Sequence, residues 1–216
     1  MQAIIDATEN GLIKTAKVAL VVSSRSDAYG LERAKKHGIP SLVIRGSESR
    51  KLLAKLKAHK INGIVLAGYL SILQPCVINE YKNKIINIHP ALLPMFGGKG
   101  MYGINVHQAV IASGTPYTGA TAHFVDCGVD TGAALIRGVV RVLPGDTAEI
   151  LQKRVLDVEH IILVRAVRAL SGGFAEDYKN NPPVLLSDND RDGIIDYARE
   201  IKNLSEALLN ADSEGL

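Results

Sequence analysis

Short apolar runs alternate with helical patterns along most of the chain, and this alternation restricts the fold more than any other feature of the sequence. Residues 17–22 (KVALVV) and 63–67 (GIVLA) are rich in Val, Ile and Leu, as is typical of strands buried on both faces. Between them, helical patterns over 28–37 and 48–59 flank a third short run at 41–44. Strands that alternate with helices form right-handed βαβ units, so the sequence predicts an α/β fold with a doubly wound, mostly parallel, Rossmann-like sheet.

The middle of the chain continues this alternation and adds a strand pair. Residues 84–88 (KIINI) predict a further strand, and 106–113 predict a helix after a glycine-rich stretch. Residues 119–125 and 133–143 predict two strands, with 126–132 as the loop between them. Polar residues come directly after the strands predicted at 84–88 and 119–125. In a sheet of this class, ligands bind at the carboxyl ends of the strands.

The end of the chain differs in character from the rest. A long amphipathic helix is predicted over 147–170, with Asp146 or Thr147 as its N-cap and glycines at its end. After this helix the composition turns polar, so we divide the chain into a domain at 1–173 and a peripheral C-terminal tail at 174–216. A length of 216 residues with 47% hydrophobic residues suits one domain with a substantial core.

Charge and cysteine content argue against several classes of function. The chain has 25 Lys and Arg against 22 Asp and Glu, a net charge of +3, without the concentrated basic stripe usual in nucleic-acid-binding proteins. Its 2 cysteines lie outside any CxxC or Cys/His pattern, so we expect no metal site. No apolar run is long enough to span a bilayer and no signal-peptide pattern opens the chain, so a cytoplasmic protein that binds no membrane is expected.

The segment 87–94 (NIHPALLP) carries the first candidate chemical groups. It ends a predicted strand with the amide of Asn87 and the imidazole of His89, which are two residues apart and therefore share one face. Since ligands bind beyond the carboxyl ends of strands in open α/β sheets, these side chains are expected to face a crevice. A histidine at a strand end can also be an ordinary hydrogen-bonded structural residue, and from these two residues alone that alternative stays open.

A second candidate lies in the glycine-flanked acidic loop within 123–132 (HFVDCGVDTG). Asp130 is a candidate partner for His89, because a carboxylate beside an imidazole stabilises its protonated form and fixes its orientation. Such a pair suits a group that manages protons near neutral pH. The alternative is that Asp130 is only a turn residue ahead of Gly132.

Three segments of the sequence form one combined motif: 87–94, 123–132 and 154–160 (RVLDVEH). They resemble the signature of the glycinamide ribonucleotide formyltransferases, folate-dependent enzymes of purine biosynthesis, and the resemblance extends to about residue 170. The wider superfamily, which includes methionyl-tRNA formyltransferases and formyltetrahydrofolate deformylases, shares the Asn-x-His-Pro element and the downstream aspartate. Three further segments point to the glycinamide ribonucleotide enzymes: 2–6 (QAIID), 28–34 (AYGLERA) and 67–73 (AGYLSIL).

The resemblance implies a reaction and three catalytic residues. The family moves a formyl group from N10 of 10-formyltetrahydrofolate directly to a primary amine, through a tetrahedral intermediate and without a covalent enzyme adduct. Asn87 would donate a hydrogen bond to the developing oxyanion. His89 would help to stabilise that oxyanion and move protons between the two nitrogens, while Asp130 would hold His89 and favour its protonated form.

The resemblance also assigns residues to the two substrates. Those assigned to the folate are Arg50, Leu70, Ser71, Ile72, Leu73, Asn87, Asp126 and Asp130. Glu159 and His107 are assigned to the amine substrate, and neither His107 nor His123 is expected to have a central role. Core packing is the alternative for the three apolar residues at 70–73, and a solvated helical face is the alternative for Glu159. Ser71 stands where some members have a basic residue, but the resemblance implies that the pterin contacts there are largely made by the main chain.

The N-terminus is where this sequence departs from the family pattern. Members begin with a strand and a Gly/Ser-rich loop just before the segment that reads QAIID at 2–6 here, and we expect both to be missing from this fold. The backbone amides of that loop would grip the ribonucleotide phosphate at a helix N-terminus. We therefore expect an intact catalytic triad with impaired binding of glycinamide ribonucleotide, in a sheet without its first, central strand.

The sequence leaves alternative functions open beside formyl transfer to glycinamide ribonucleotide. A formyltetrahydrofolate deformylase would pass the formyl group to water with the same triad, and a truncated folate-binding remnant would bind folate without turnover. A tRNA formyltransferase fits less well, because the chain is short and has no evident RNA-binding extension. The expected partners are small molecules, with no nucleic acid and no membrane, and a homodimer is left open.

Overall fold

The computed structural model describes residues 1–172 and the backbone of 184–186, and it confirms the α/β fold. The elements in chain order are α1 (Gln2–Glu9), β1 (Val21–Ser23), α2 (Tyr29–Lys36), β2 (Ser41–Val43), α3 (Ser49–Ala58), β3 (Ile64–Leu66), α4 (Pro75–Glu80), β4 (Ile85–His89), α5 (Ile104–Ser113), β5 (Tyr117–Phe124), β6 (Ala134–Arg141), α6 (Ala148–Gly172) and β7 (Val184–Leu186). The rest of the predicted tail lies outside the described residues.

The strands form two sheets of unequal size. β1 and β2 pair in parallel, and the other five strands form a sheet in the order β3-β4-β5-β6-β7. β3 runs parallel to β4, and β6 runs parallel to β7. β5 is antiparallel to its predicted partner β6, and it is also antiparallel to β4, although the helix α5 joins β4 to β5. Within the described residues, one edge of β1 and one edge of β3 have no strand partner, although both strands contribute to one hydrophobic cluster.

Most predicted boundaries agree with the structure, and the differences have local causes. The strand predicted at 17–22 begins only at Val21, because β1 pairs with β2 over three residues and a strand requires ladder hydrogen bonds. Two short helices, α1 and α4, were not predicted. α4 has only six residues, too few for a periodic pattern, but Pro75 in its first turn is a recognised start signal.

The helix α6 covers one face of the larger sheet and anchors the core. Its buried side chains, Leu151, Val155 and Ile162 among them, pack in one cluster with apolar residues of β4, β5 and β6. Thr147 caps this helix, since its Oγ1 accepts a hydrogen bond from the Ile150 amide at 3.3 Å. None of the described helices, α6 included, is both long enough and apolar enough to cross a membrane.

Part of the predicted tail enters the sheet. Residues 184–186 form β7, which pairs with β6 in the register Arg137 to Val184. The boundary between a domain at 1–173 and a tail at 174–216 stays a prediction, with this short strand on the tail side of it.

Close contact between β5 and β6 gives a test of the fold. A Cβ at Gly119 would overlap the carbonyl group of Gly138, which is backbone and cannot rotate away. We expect Gly119→Ala to lower the free energy of unfolding by about 1–3 kcal/mol through overpacking. Gly30→Ala in α2 is the matched control, because its Cβ would meet only the Met1 side chain at 3.6 Å, and alanine favours the helix by up to about 1 kcal/mol. Urea unfolding measures both, and equal midpoints would contradict the prediction.

Candidate active site

The last residues of β4 place an amide and an imidazole side by side on one face of the sheet. Ile86 and Ile88 pack into the cluster beneath α6, so Asn87 and His89, which alternate with them, point to the opposite face. His89 is buried, with 4% of its surface exposed, and Asn87 is partly buried. Leu66 of β3 pairs with Asn87, so the loop that leaves β3 starts beside this amide.

His89 has a defined partner at each ring nitrogen. Its Nε2 lies 2.8 Å from the carbonyl oxygen of Phe96, and its Nδ1 lies 3.5 Å from Oδ2 of Asp130. A carbonyl oxygen can only accept, so Nε2 carries a hydrogen that it donates to Phe96. The Nδ1 proton is therefore the one that can be gained or lost, and it faces a carboxylate that is only 12% exposed.

The loop after β5 holds Asp130 in place. Asp130 has φ of 58°, in the left-handed region that aspartate tolerates better than most residues, and its Oδ2 accepts a hydrogen bond from the Gly98 amide at 3.1 Å. Asp126 closes the loop on itself, because its Oδ1 accepts from the Gly128 amide at 3.0 Å and from the Thr131 hydroxyl at 2.6 Å. The Asp130 carboxylate is thus fixed between the Gly98 backbone and His89.

Asn87 contacts His123, a residue that sequence reasoning placed at the margin of the site. Asn87 Nδ2 lies 3.1 Å from His123 Nε2, and His123 Nδ1 lies 2.8 Å from the carbonyl oxygen of Phe124. Since the Phe124 oxygen only accepts, Nδ1 carries the hydrogen of a neutral ring and Nε2 accepts from the Asn87 amide. Burial lowers the pKa of His123, which favours this neutral form. One N–H of Asn87 is engaged, and its second N–H makes no hydrogen bond to a described residue.

Asp130 joins the two pairs. Its Oδ1 lies 3.7 Å from Nε2 of His123, while its Oδ2 lies near His89. The structure therefore brings the three predicted catalytic residues together and adds His123 as a fourth member. We call Asn87, His89, His123 and Asp130 the catalytic cluster, because three of them are the residues predicted to be catalytic. Alternation along β5 was the signal that could have found His123, since it puts His123 on the face that Asn87 occupies across the β4–β5 pair.

His107 lies close to this cluster without a hydrogen bond to it. It is buried on α5, with 1% of its surface exposed, and its Nδ1 has no hydrogen-bond partner among the described residues. Burial lowers the pKa of His107, and the nearby charge of His89 lowers it further. His107 is therefore a neutral ring close enough to His89 to respond to its charge.

The residues assigned to folate lie in different surroundings. The side chains of Leu70 and Ile72, in the loop between β3 and α4, are 72% and 67% exposed, whereas Leu73 is 7% exposed and belongs to the core. Core packing therefore applies to Leu73, and the other two side chains face outward. Arg50 is exposed in the first turn of α3, and Ser71 packs against Gly46.

Glu159 lies on α6 and makes none of the hydrogen bonds or ion pairs that join the four residues of the cluster. Burial raises the pKa of its carboxyl to about 7. A carboxyl of this kind gains or loses its proton near neutral pH, unlike a carboxylate on a solvated helical face.

One group of side chains has the spacing of metal ligands. Asp6 and Glu9 on α1 and His37 at the end of α2 offer ligand atoms within 4.8 Å of one another. His37 is already occupied, since its Nδ1 lies 2.8 Å from Glu9 Oε1 and its Nε2 lies 3.1 Å from the Gln2 amide nitrogen. These residues share no element with the catalytic cluster.

A family model described as formyl transferase matches residues 1–167. The chain belongs to the formyl transferase family. A phosphoribosylglycinamide formyltransferase from Haemophilus influenzae is 37% identical over 180 residues, which cover 80% of this chain and 82% of that protein. The crystal structure of glycinamide ribonucleotide transformylase 1 from Symbiobacterium toebii has a TM-score of 0.74 at 36% identity, and the match covers 80% of this chain and 82% of that one.

Other members of the formyl transferase family are matched over less of their length. A chloroplastic phosphoribosylglycinamide formyltransferase from Arabidopsis thaliana is 43% identical over 161 residues, which cover 71% of this chain and 55% of that protein. The chain thus spans about half the length of the first curated relatives it matches. A formyltetrahydrofolate deformylase from Pseudomonas syringae has a TM-score of 0.72 at 26% identity, covering 80% of this chain and 57% of that one.

The raised pKa of Glu159 predicts a pH-dependent stability. The folded protein retains this proton up to about pH 7, whereas an unfolded glutamate releases it near 4.5. The stabilising contribution of the protonated form is therefore complete below pH 4.5 and is lost as the pH rises through 7. The difference in unfolding free energy, Glu159→Gln minus the unsubstituted protein, should therefore increase by about 2 kcal/mol from pH 5 to pH 8.

Urea titrations at the two pH values measure this gain. Asp157→Asn is the matched control, because Asp157 is an exposed carboxylate on the same helix. A gain of the same size in both variants, or none in Glu159→Gln, would show that the carboxyl of Glu159 ionises freely in the folded protein.

Proposed function

We propose that this protein transfers a formyl group from 10-formyltetrahydrofolate to the primary amine of glycinamide ribonucleotide, a step of purine biosynthesis. The observation that carries the proposal is the catalytic cluster, in which Asn87 and His89 lie on one face of β4 and Asp130 lies within 4 Å of two imidazoles. The relatives named phosphoribosylglycinamide formyltransferase support the choice of the amine substrate.

Asn87 stabilises the transition state in this proposal. The attacking amine converts the formyl carbon to a tetrahedral centre, and the formyl oxygen takes up negative charge. His123 accepts one N–H of the Asn87 amide, which orients the second N–H for donation to that oxygen. A preorganised donor of this kind is worth about 10²–10³ in rate.

His89 and Asp130 manage the protons. The amine loses a proton as its bond to carbon forms, and N10 of the folate gains one as its bond to carbon breaks. The Nδ1 proton of His89 is the exchangeable one, because Nε2–H is held by the Phe96 carbonyl. The Asp130 carboxylate stabilises the positive charge on His89 while Nδ1 is protonated.

Two loops beside the cluster fit a pterin cosubstrate. The exposed side chains of Leu70 and Ile72 supply an apolar surface in the loop that starts next to Asn87. Asp126, held in its own turn, and Asp130 lie in the loop after β5, and Arg50 supplies a positive charge on α3. Apolar walls with a few placed polar groups are the usual lining of such sites. The folate would bring the formyl group, and the chain's own residues would orient it.

The amine substrate would be bound by Glu159 and His107. Glu159 has a half-buried carboxyl and His107 a buried ring nitrogen that no described residue satisfies. Such groups are suited to hydrogen bonds with a polar ligand. A homodimer and a cytoplasmic location also stay predictions, and two plant relatives are named chloroplastic.

Single-turnover formyl transfer from 10-formyltetrahydrofolate, measured with glycinamide ribonucleotide and with buffer alone, tests the proposal. We expect transfer to the amine in the unsubstituted protein and a loss of about 10²–10⁴ in rate for Asp130→Asn, because His89 loses its charge partner. Asn87→Ala should lose about 10²–10³. Asp157→Asn, an exposed carboxylate on α6, should retain the full rate.

The other outcomes separate the alternatives. Formate release that does not depend on the amine would favour a deformylase, to which the structural similarity also extends. Folate binding without transfer would favour a folate-binding protein without turnover. Equal rates for Asp130→Asn and the unsubstituted protein would overturn the role given to the cluster.

A further inference from the structure

The segment after β4, residues 90–97, is held against the sheet by a buried threonine. We call this segment the 90–97 loop. Thr121 on β5 is fully buried; its Oγ1 accepts a hydrogen bond from the Leu93 amide at 3.1 Å and donates one to the Ala91 carbonyl at 2.7 Å. One hydroxyl thus satisfies two backbone groups of the loop, which would otherwise be buried without partners.

Arg137 on β6 makes a third contact with the same loop. Its Nη2 donates a hydrogen bond to the Leu93 carbonyl at 3.2 Å. Arg137 forms no ion pair among the described residues, and burial lowers the pKa of its guanidinium. A cation that is partly buried without an acidic partner is costly, so its contact with the loop is the compensation that the structure offers.

The three side chains form a row across the sheet. His89 on β4 pairs with Thr121 on β5, and Thr121 pairs with Arg137 on β6. Residues directly opposite each other share a face, so Thr121 and Arg137 lie on the face that carries the catalytic cluster. The loop that they hold therefore crosses the sheet beside His89.

The far end of the loop and the residue that follows it each contact the catalytic cluster once. The Phe96 carbonyl accepts from His89 Nε2, and the Gly98 amide just beyond the loop donates to Asp130. Phe96 has φ of 54°, in the left-handed region that costs a bulky residue about 1–2 kcal/mol. A strained residue keeps this conformation only when its surroundings enforce it, and the contacts at Ala91 and Leu93 are part of that enforcement.

We infer that Thr121 and Arg137 are positioning residues for the proposed formyl transfer. By fixing the backbone at Ala91 and Leu93, they keep the Phe96 carbonyl on His89 Nε2, so that the exchangeable proton stays on Nδ1 beside Asp130. This inference rests on the proposed function for its kinetic consequences, but the state of the His89 ring is independent of turnover.

The experiment compares threonine variants on one strand. Thr121→Val removes the hydroxyl with little change in shape, whereas Thr121→Ser retains it. Thr118→Val is the matched control, because Thr118 is also buried on β5 and its Oγ1 has no partner among the described residues. We expect kcat to fall about 10-fold or more in Thr121→Val, with Thr121→Ser and Thr118→Val within about twofold of the unsubstituted protein.

Arginine variants on β6 are a second, independent test, which still applies if the Thr121→Val variant fails to fold. Arg137→Met removes the donor, Arg137→Lys retains the charge, and Arg141→Met changes an exposed arginine on the same strand. We expect a fall in kcat of several-fold for Arg137→Met, a smaller fall for Arg137→Lys and no change for Arg141→Met. The KM for the folate should stay the same throughout, because these residues touch the loop and not the substrate.

Two readouts separate positioning from simple stability. The ring ¹⁵N shifts of His89 report which nitrogen carries the proton, and the pH–rate profile of kcat reports when it is lost. We expect Thr121→Val to shift both, with Thr121→Ser and Thr118→Val unchanged. Thr121→Val with unchanged His89 shifts and profile, and a lowered stability only, would overturn the inference. If the unsubstituted protein transferred no formyl group, the proposed function would fail while the ¹⁵N shifts still tested the positioning of His89.

Discussion

The two-residue alternation of β4 is the constraint on which both the core and the catalytic cluster depend. Ile86 and Ile88 face the apolar cluster beneath α6, while Asn87 and His89 face the opposite side. A slip of one residue in the pairing of β4 would exchange the two sets and bury an amide and an imidazole among apolar side chains. Pairing with β3 on one edge and with β5 on the other fixes the register, so the chemistry of the site is tied to the stability of the core.

The electrostatics of the cluster converge on Asp130. Its two oxygens lie near one nitrogen of His89 and one of His123, and the Gly98 amide donates to the same carboxylate. The histidines nevertheless differ in their surroundings, because the Phe96 carbonyl takes the Nε2 hydrogen of His89, whereas the Phe124 carbonyl takes the Nδ1 hydrogen of His123. Two identical side chains therefore present opposite nitrogens to the carboxylate, one suited to proton exchange and one to orienting Asn87.

The parts of the site that could be predicted are those with a local signature. Asn87 and His89 are two residues apart at the end of an apolar run, and Asp130 lies in a loop with flanking glycines, so strand periodicity and turn chemistry were enough to single them out. His123 is marked only by the alternation along β5, which does not say what it contacts, and Thr121 has no local signature. Their importance comes from partners 36 and 30 residues away in the chain, Asn87 and Ala91, which only the pairing of β4 with β5 brings within reach.

The sequence by itself determined the alternation of strands and helices, the existence of a strand pair after α5 and the two strand ends that carry the candidate catalytic residues, because these follow from local periodicity and turn residues. The tertiary structure decided which nitrogen of each histidine is occupied, which threonine holds the 90–97 loop, and that Leu73 lies in the core while Leu70 faces outward. These features depend on strand register and on the path of a loop over the sheet. Both are set by the packing of segments distant in sequence, and periodicity within one segment holds no information about them.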